Sequence, residues 1–222
     1  MGKIGFLVVT LVFILVLPGY GSWQLGAFGA MYNPDFGEIN DDLDTINLTW
    51  GTNLKLRGIL IYGVILEYCF SRRFTVRGEM SNFSLHTSDT YYDKDQILHK
   101  ITVSVNTMPI FISGIYRFSP GGNISPYEEV VTPYLGIGVG RLATQYKQKE
   151  EILTSPPEVT VLSDDDNPAV FQLLVGVGVS FPQNRNFILL AQVKHIWGEA
   201  IVMGSSLDWG GTSYSMGVQG RL

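Results

Sequence analysis

Three histidines, His86, His99 and His195, and one cysteine, Cys69, are the side chains of this 222-residue chain best suited to acid–base or nucleophilic work. None stands in a recognisable partner motif. A hydrolytic Ser/His pair would draw on Ser205 and Ser206, but no spacing brings a histidine beside them. A lone cysteine forms no internal disulfide and no thiolate metal cluster. Most of the twenty acids fall in four stretches: Asp35–Asp44, Asp89–Asp95, Glu150–Asp166, and Glu199 with Asp208. Such clusters are either solvated surface or loose divalent-cation sites built from hard oxygen ligands. Asp164-Asp165-Asp166 lacks the spaced ligands and turn glycine of an EF-hand loop. The Gly-x-Gly units at 136–140 follow a two-residue period and open no helix, so a nucleotide-binding reading fails. Neither catalysis nor a cofactor is expected.

A second set of charges is more informative. Glu67, Arg77, Glu79, Lys194 and Arg221 lie inside segments that otherwise alternate apolar residues with Gly, Ser and Gln. Charges in that setting need a polar interior where opposite signs meet. The elements that carry them are strands. In Ala169–Phe181 the row Leu173, Val175, Val177, Val179 alternates with Gln172, Gly176, Gly178, Ser180. That is the two-residue period of a strand with unlike faces. The same scheme recurs in Trp23–Tyr32, Arg57–Phe70, Phe74–Leu85, Ile101–Phe118, Tyr134–Leu142, Phe187–Trp197 and Gly211–Leu222. The parity slips near Met108–Pro109, where a bulge is expected. Long connections (Asn33–Leu56, His86–Lys100, Lys147–Pro168, Gly198–Gly210) alternate with shorter ones. That asymmetry predicts an eight-stranded antiparallel up-and-down transmembrane β-barrel, long loops at one end and both termini at the other. Within the first long loop, Ile39, Leu43 and Ile46 recur at helical spacing behind a capping Asp35, which predicts a short helix over Phe36–Asn47.

The amino terminus reads as an address. Met1–Lys3 is positive, Ile4–Leu17 is apolar, and Pro18 followed by Gly19 and Gly21 sets a cleavage site. At about 1.5 Å per residue the apolar run falls short of the roughly 30 Å hydrocarbon core. Residues 1–21 are therefore expected to be a signal peptide and residues 22–222 the barrel. Charged residues are only 16% of the chain, the net charge is -5, and there is no basic block, so nucleic acid is an unsuitable partner.

Alternation does not itself say which row faces in. A soluble lipocalin-like carrier would turn the aliphatic row inward, and Gly21-Ser22-Trp23 is a short hint in that direction. The second row argues otherwise. Gly136, Gly138, Gly140, Gly176, Gly178 and Gly217 weaken a water-facing strand. Inside a narrow barrel they leave room for larger polar neighbours. The aliphatic row then faces lipid. Trp23, Phe70, Phe74, Phe118, Phe181 and Phe187 would form one aromatic girdle, and Tyr32, Tyr146 and Trp197 the other.

On the signal peptide, strand count, loop asymmetry, Pro133–Gly140 stretch and closing strand, the chain resembles the small outer-membrane β-barrel superfamily, the OmpA/OmpX/OmpW-like proteins. The resemblance covers nearly all of Trp23–Leu222. It implies residence in the outer membrane of a Gram-negative-type bacterium, as a monomer among outer-membrane lipid and lipopolysaccharide. It also implies a C-terminal signal read by the barrel-insertion machinery, here Tyr214, Met216, Val218 and Leu222; Leu222 departs from the family's terminal aromatic. A structural or surface-interaction role through acidic extracellular loops is the leading expectation. A narrow conduit for small or apolar molecules, a barrel-borne lipid-modifying enzyme and a secreted carrier are the alternatives.

Overall fold

The computed structural model describes residues 21–34, 37–118, 131–154, 157–181, 184–202 and 204–222. The expected signal peptide (save Gly21), Asp35, Phe36 and most of the Pro/Gly-rich link at Ser119–Val131 lie outside the described residues. The strands are β1 (Ser22–Pro34), β2 (Ile59–Cys69), β3 (Phe74–Tyr92), β4 (Leu98–Arg117), β5 (Val131–Ile152), β6 (Glu158–Asp166), β7 (Ala169–Phe181), β8 (Asn184–Trp197), β9 (Glu199–Val202), β10 (Ser205–Asp208) and β11 (Gly211–Arg221). One helix, α1 (Gly37–Trp50), joins β1 to β2.

Eight of these strands close a ring in the order β1-β2-β3-β4-β5-β7-β8-β11, every neighbour antiparallel. The seam is β11 on β1, running from Gln24 opposite Arg221 to Pro34 opposite Gly211. Closure leaves no backbone edge to hydrocarbon. Outward rows are apolar: Leu60, Val64 and Leu66 on β2, Ile110 and Ile112 on β4, Ile137 and Val139 on β5, and Val175 on β7 are all exposed. Inward rows carry Gln24, Glu67, Arg77, Gln172, Gln192, Lys194 and Gln219, all buried. That is the inside-out arrangement of a barrel made for a bilayer, and it removes the lipocalin-like reading. Trp23, the hint for that reading, belongs to the outward row and packs on Tyr68 at 4.8 Å.

The wall is uneven. β3, β4 and β5 have 19, 20 and 22 residues, whereas β2 and β11 have 11. A spanning strand needs about 9–11, so β3–β5 stand well clear of the apolar band. β6 extends this raised part. It pairs with β5 from Thr144 opposite Asp166 to Ile152 opposite Glu158, continuing the register that β7 holds below. The stretches His86–Lys100 and Lys147–Pro168, expected to be loops, are therefore mostly strand. Their polar sequence hid this: above the membrane a strand no longer needs an apolar outer row.

The expected bulge at Met108–Pro109 is absent. β4 keeps one register against β3 and against β5 throughout, and its odd-numbered residues face inward from His99 to Ile115. What changes is chemistry. Below Asn106 the outward row is Met108, Ile110, Ile112. Above it the outward row is Lys100, Thr102, Ser104, and the apolar residues Ile101, Val103 and Val105 turn inward. The inversion marks where the wall leaves lipid. Pro109, without an N–H, is tolerated because the ladder to β3 omits its pair and that of Met108.

The girdle at the terminal end is continuous through Trp23, Tyr68 and Phe70 and again through Phe74, Tyr116 and Phe118, with ring centroids 4.6–5.2 Å apart. The side chain of Phe181 lies outside the described residues. At the loop end two expectations fail. Tyr32 and Tyr146 point into the barrel and are buried, while Trp197 faces out beside Phe171.

Candidate functional site

The lumen holds a connected polar network that starts near the terminal end of the barrel. The β2–β3 register sets Glu67 opposite Arg77. Arg77 Nε donates to Glu67 Oε1 at 2.5 Å, and Nη1 donates to Glu79 Oε1 at 3.3 Å and Gln192 Oε1 at 2.6 Å. Lys194 Nζ reaches Glu79 Oε2 across the barrel at 2.7 Å. Arg117 Nη2 donates to Glu67 Oε2 at 2.5 Å and to Gln24 Oε1 at 3.4 Å. Tyr134 Oη donates to Gln192 at 2.9 Å, and its ring lies 5.1 Å from the Arg77 guanidinium. Lys194 also sits 4.6 Å from the Phe28 ring. Side chains of β1, β2, β3, β4, β5 and β8 are thus tied across the lumen.

Four of the five charges singled out from the sequence, Glu67, Arg77, Glu79 and Lys194, meet here. Arg221 does not. It lies opposite Gln24 at the end of β11 and is exposed. Arg117 takes the remaining cationic place and was missed, because the chemical inversion in β4 disguised its inward parity. β11 contributes Ser215 and Gln219 to the buried wall, but neither joins the network. The glycine row does make room, though mainly for apolar groups. A Cβ on Gly136 would lie 2.5 Å from Ile115, one on Gly140 2.6 Å from Phe111, and one on Gly176 2.5 Å from the Tyr134 ring.

Above the network the interior turns apolar and is capped. α1 ends at Gly51, whose φ of 69° suits glycine, with Gly51 N–H donating to Asn47 O. The helix buries Leu43 and fastens the extended segment after it through two asparagines. Asn40 exchanges bonds with the Leu56 backbone at 2.9 and 3.2 Å. Asn47 does so with Leu54 at 2.8 and 2.9 Å and also accepts from Thr52 Oγ1. Leu54 and Leu56 then join Leu207 and Trp209 of the β9–β10 hairpin region in one buried apolar cluster with Phe83, Leu85 and Val105. Trp209 lies 5.3 Å from Phe83, and the Tyr32 hydroxyl donates to Trp209 O. Between network and cap remains a cavity of about 20 Å³, lined by Phe28, Glu79, Phe111, Lys194 and Trp209 among others. That is room for about one water.

The raised wall carries a second polar cluster. His99 Nδ1 lies 3.0 Å from Glu150 Oε1 and Nε2 lies 3.1 Å from Asp93 Oδ2. Tyr91 stacks on His99 at 5.0 Å and donates to Glu150 at 2.5 Å. Asp93 Oδ1 accepts from the N–H groups of Asp95 and Ile97, closing the β3–β4 turn. The Ile97 N–H above all, with help from His99, holds the Asp93 carboxyl below the usual carboxylate range. His195 faces out, 3.1 Å from Thr212 Oγ1 and 4.4 Å from the Trp197 ring. His86 is exposed. Among the described residues no group of three His, Cys, Asp or Glu side chains is placed to hold a metal ion.

Outer membrane protein OprG of Pseudomonas aeruginosa matches with a TM-score of 0.55 at 10% identity, over 91% of this chain and 96% of that one. The chain has the fold of the small outer-membrane β-barrels. The N-terminal barrel domain of Pseudomonas aeruginosa OprF follows at 0.48 and 15% identity, over 91% of this chain and 100% of that one. Neisserial surface protein A follows at 0.47 and 13% identity, over 91% and 97%. No family model and no curated protein matches the sequence. The four residues of the expected C-terminal signal, Tyr214, Met216, Val218 and Leu222, all face outward on or just beyond β11.

Proposed function

We propose that this barrel is exported through its amino-terminal signal, inserted by way of its C-terminal strand, and held in the outer membrane as an anchor for the raised wall of β3–β6. It works by contact at the cell surface, and not by conduction or catalysis. The carrying observation is the lumen: among the described residues a cross-barrel ion network ties six strands together, and the cavity between it and the apolar cap has room for about one water. The acids support a surface role, although most do not sit in irregular loops. Asp41 and Asp44 lie on α1, and Asp164–Asp166 end β6, so the acidic rim is built on ordered elements. A non-catalytic role belongs to the same reading. His99 is engaged by two carboxylates and His195 by Thr212, and among the described residues neither is bonded to a serine.

Planar-bilayer recording tests it. The purified barrel should give no resolvable steps, and protease shaving of intact cells should cut in the raised wall. Regular conductance, or transport of a small apolar solute into liposomes, would favour the conduit instead.

A further inference from the structure

The raised wall has two faces of opposite charge, and strand parity sorts them. Glu150 on β5 and Asp164 and Asp166 on β6 share the inward parity of Tyr146, toward the cap. The outward row of β5 continues the lipid-facing row Leu135, Ile137, Val139 without a break in register. Its next members are Arg141, Ala143 and Gln145, then Lys147 and Lys149. Lys100 on β4 adds a fourth cation, opposite Glu151. Glu151, bonded to Lys149, and Asp165 on the outer edge are the acids nearest this patch. The outward neighbours on β4, Thr102, Ser104 and Asn106, are neutral hydrogen-bonding groups. In a chain of net charge -5, four cations therefore gather on the one face that rises from the apolar band. Arg141 sits two residues past Val139, whose partner Phe171 lies opposite Trp197, outward aromatics of the kind that mark the membrane interface. Lys149 lies eight residues further, about 26 Å along the strand and about 20 Å higher at the usual barrel tilt.

We propose that this face binds the phosphorylated headgroups of the surrounding outer leaflet, a multiply anionic glycolipid, with Arg141 as the fork that meets the innermost phosphates. The lysines and the Thr/Ser row take the anionic and hydroxyl groups above. Arg suits the lower place because its planar donors bind phosphate in pairs. The occupant is a leaflet lipid and not a soluble polyanion because the basic row is collinear with the lipid-facing row and begins at its edge. The inference rests on the membrane-barrel reading above.

The test places the whole barrel in phosphatidylcholine vesicles, alone or with bis-phosphorylated lipid A or its dephosphorylated form. The readout is the temperature at which half the protein loses its folded gel band. Phosphorylated lipid A should raise that temperature by roughly 5 °C or more, as a ligand of the folded state does. The dephosphorylated form should not. Arg141→Gln with Lys147→Gln and Lys149→Gln should abolish the rise, whereas Lys55→Gln with Lys94→Gln should keep it. About 0.5 M salt should shrink the rise in the wild type, because the patch is exposed to screening; this arm needs no variant to fold. Insertion with no preference for the phosphorylated lipid, or a rise that survives the triple substitution, overturns the patch alone. An equal rise from soluble inositol hexakisphosphate in phosphatidylcholine vesicles overturns the leaflet occupant. Failure to insert into any vesicle overturns the barrel reading and the patch with it.

Discussion

At the residue scale the lumen network is held by complementarity that tolerates little editing. Glu79 is fully enclosed and answers to Lys194 and Arg77. Lys194→Met leaves a buried carboxylate with one partner at 3.3 Å, and breaking a buried pair from one side costs about 3–5 kcal/mol. Urea unfolding in detergent micelles should show that loss, and adding Glu79→Leu should return much of it. If the single and double variants unfold alike, the pair is not coupled. Two neighbouring glycines give a finer contrast. A side chain on Gly176 meets the Tyr134 ring at 2.5 Å and Ala191 O at 2.7 Å, whereas one on Gly178 meets Ile188 Cγ2 at 3.2 Å and nothing else nearer than 3.8 Å. Gly176→Ser should cost about 1–3 kcal/mol by overpacking, and Gly178→Ser clearly less; equal costs in the same assay would count against the packing described. The inward parity of Glu67, Arg77, Glu79 and Lys194 was readable because each lies in a segment with one uninterrupted alternation. Their partners were not. That Lys194 meets Glu79, or Gln192 meets Tyr134, depends on how strands far apart in sequence face across a closed ring.

At the element scale the informative failure is β4. Its apolar residues change face at Asn106, and period-two reading took this for a slip in the chain. The backbone does not slip; the solvent outside it changes. The same change explains why β3 and β5 were cut short, since a strand in water with a covered inner face reverses the pattern of a strand in lipid. The turn that ends this raised hairpin depends on Asp93. Its folded pKa is depressed below 3.8, so its contribution is fully present above that value and fades as pH falls through the folded one. The amide proton shifts of Asp95 and Ile97 should therefore hold steady above about pH 4 and move together in more acidic solution. Asp93→Asn should remove that common titration. Independent movement of the two amides would show that the carboxylate does not close the turn.

At the scale of the whole molecule, everything described depends on closure. The network spans the ring, the cap sits on its mouth, and the raised wall stands on strands whose lower halves are ring members. The seam is carried by β11, whose last residues serve two neighbours. Gly217 to Arg221 pair with Phe28 to Gln24 on one side, and Gly217 to Gly220 with Leu190 to Phe187 on the other. Leu222 N–H adds a bond to Trp23 O at 2.9 Å. Deleting Gly217–Leu222 would strand the lower halves of β1 and β8 with unpaired backbone groups facing hydrocarbon, each costing several kcal/mol. It would also remove the outward Val218 and Leu222. The truncated chain should accumulate as a periplasmic aggregate or protease substrate, without the gel shift of a folded barrel. Leu222→Phe, which keeps every pair and restores a terminal aromatic, should assemble at least as well as the parent. Protease shaving of whole cells separates the outcomes. Normal surface cleavage of the truncated protein would mean that the ring closes without the end of β11, and that the seam described here is not what holds the barrel shut.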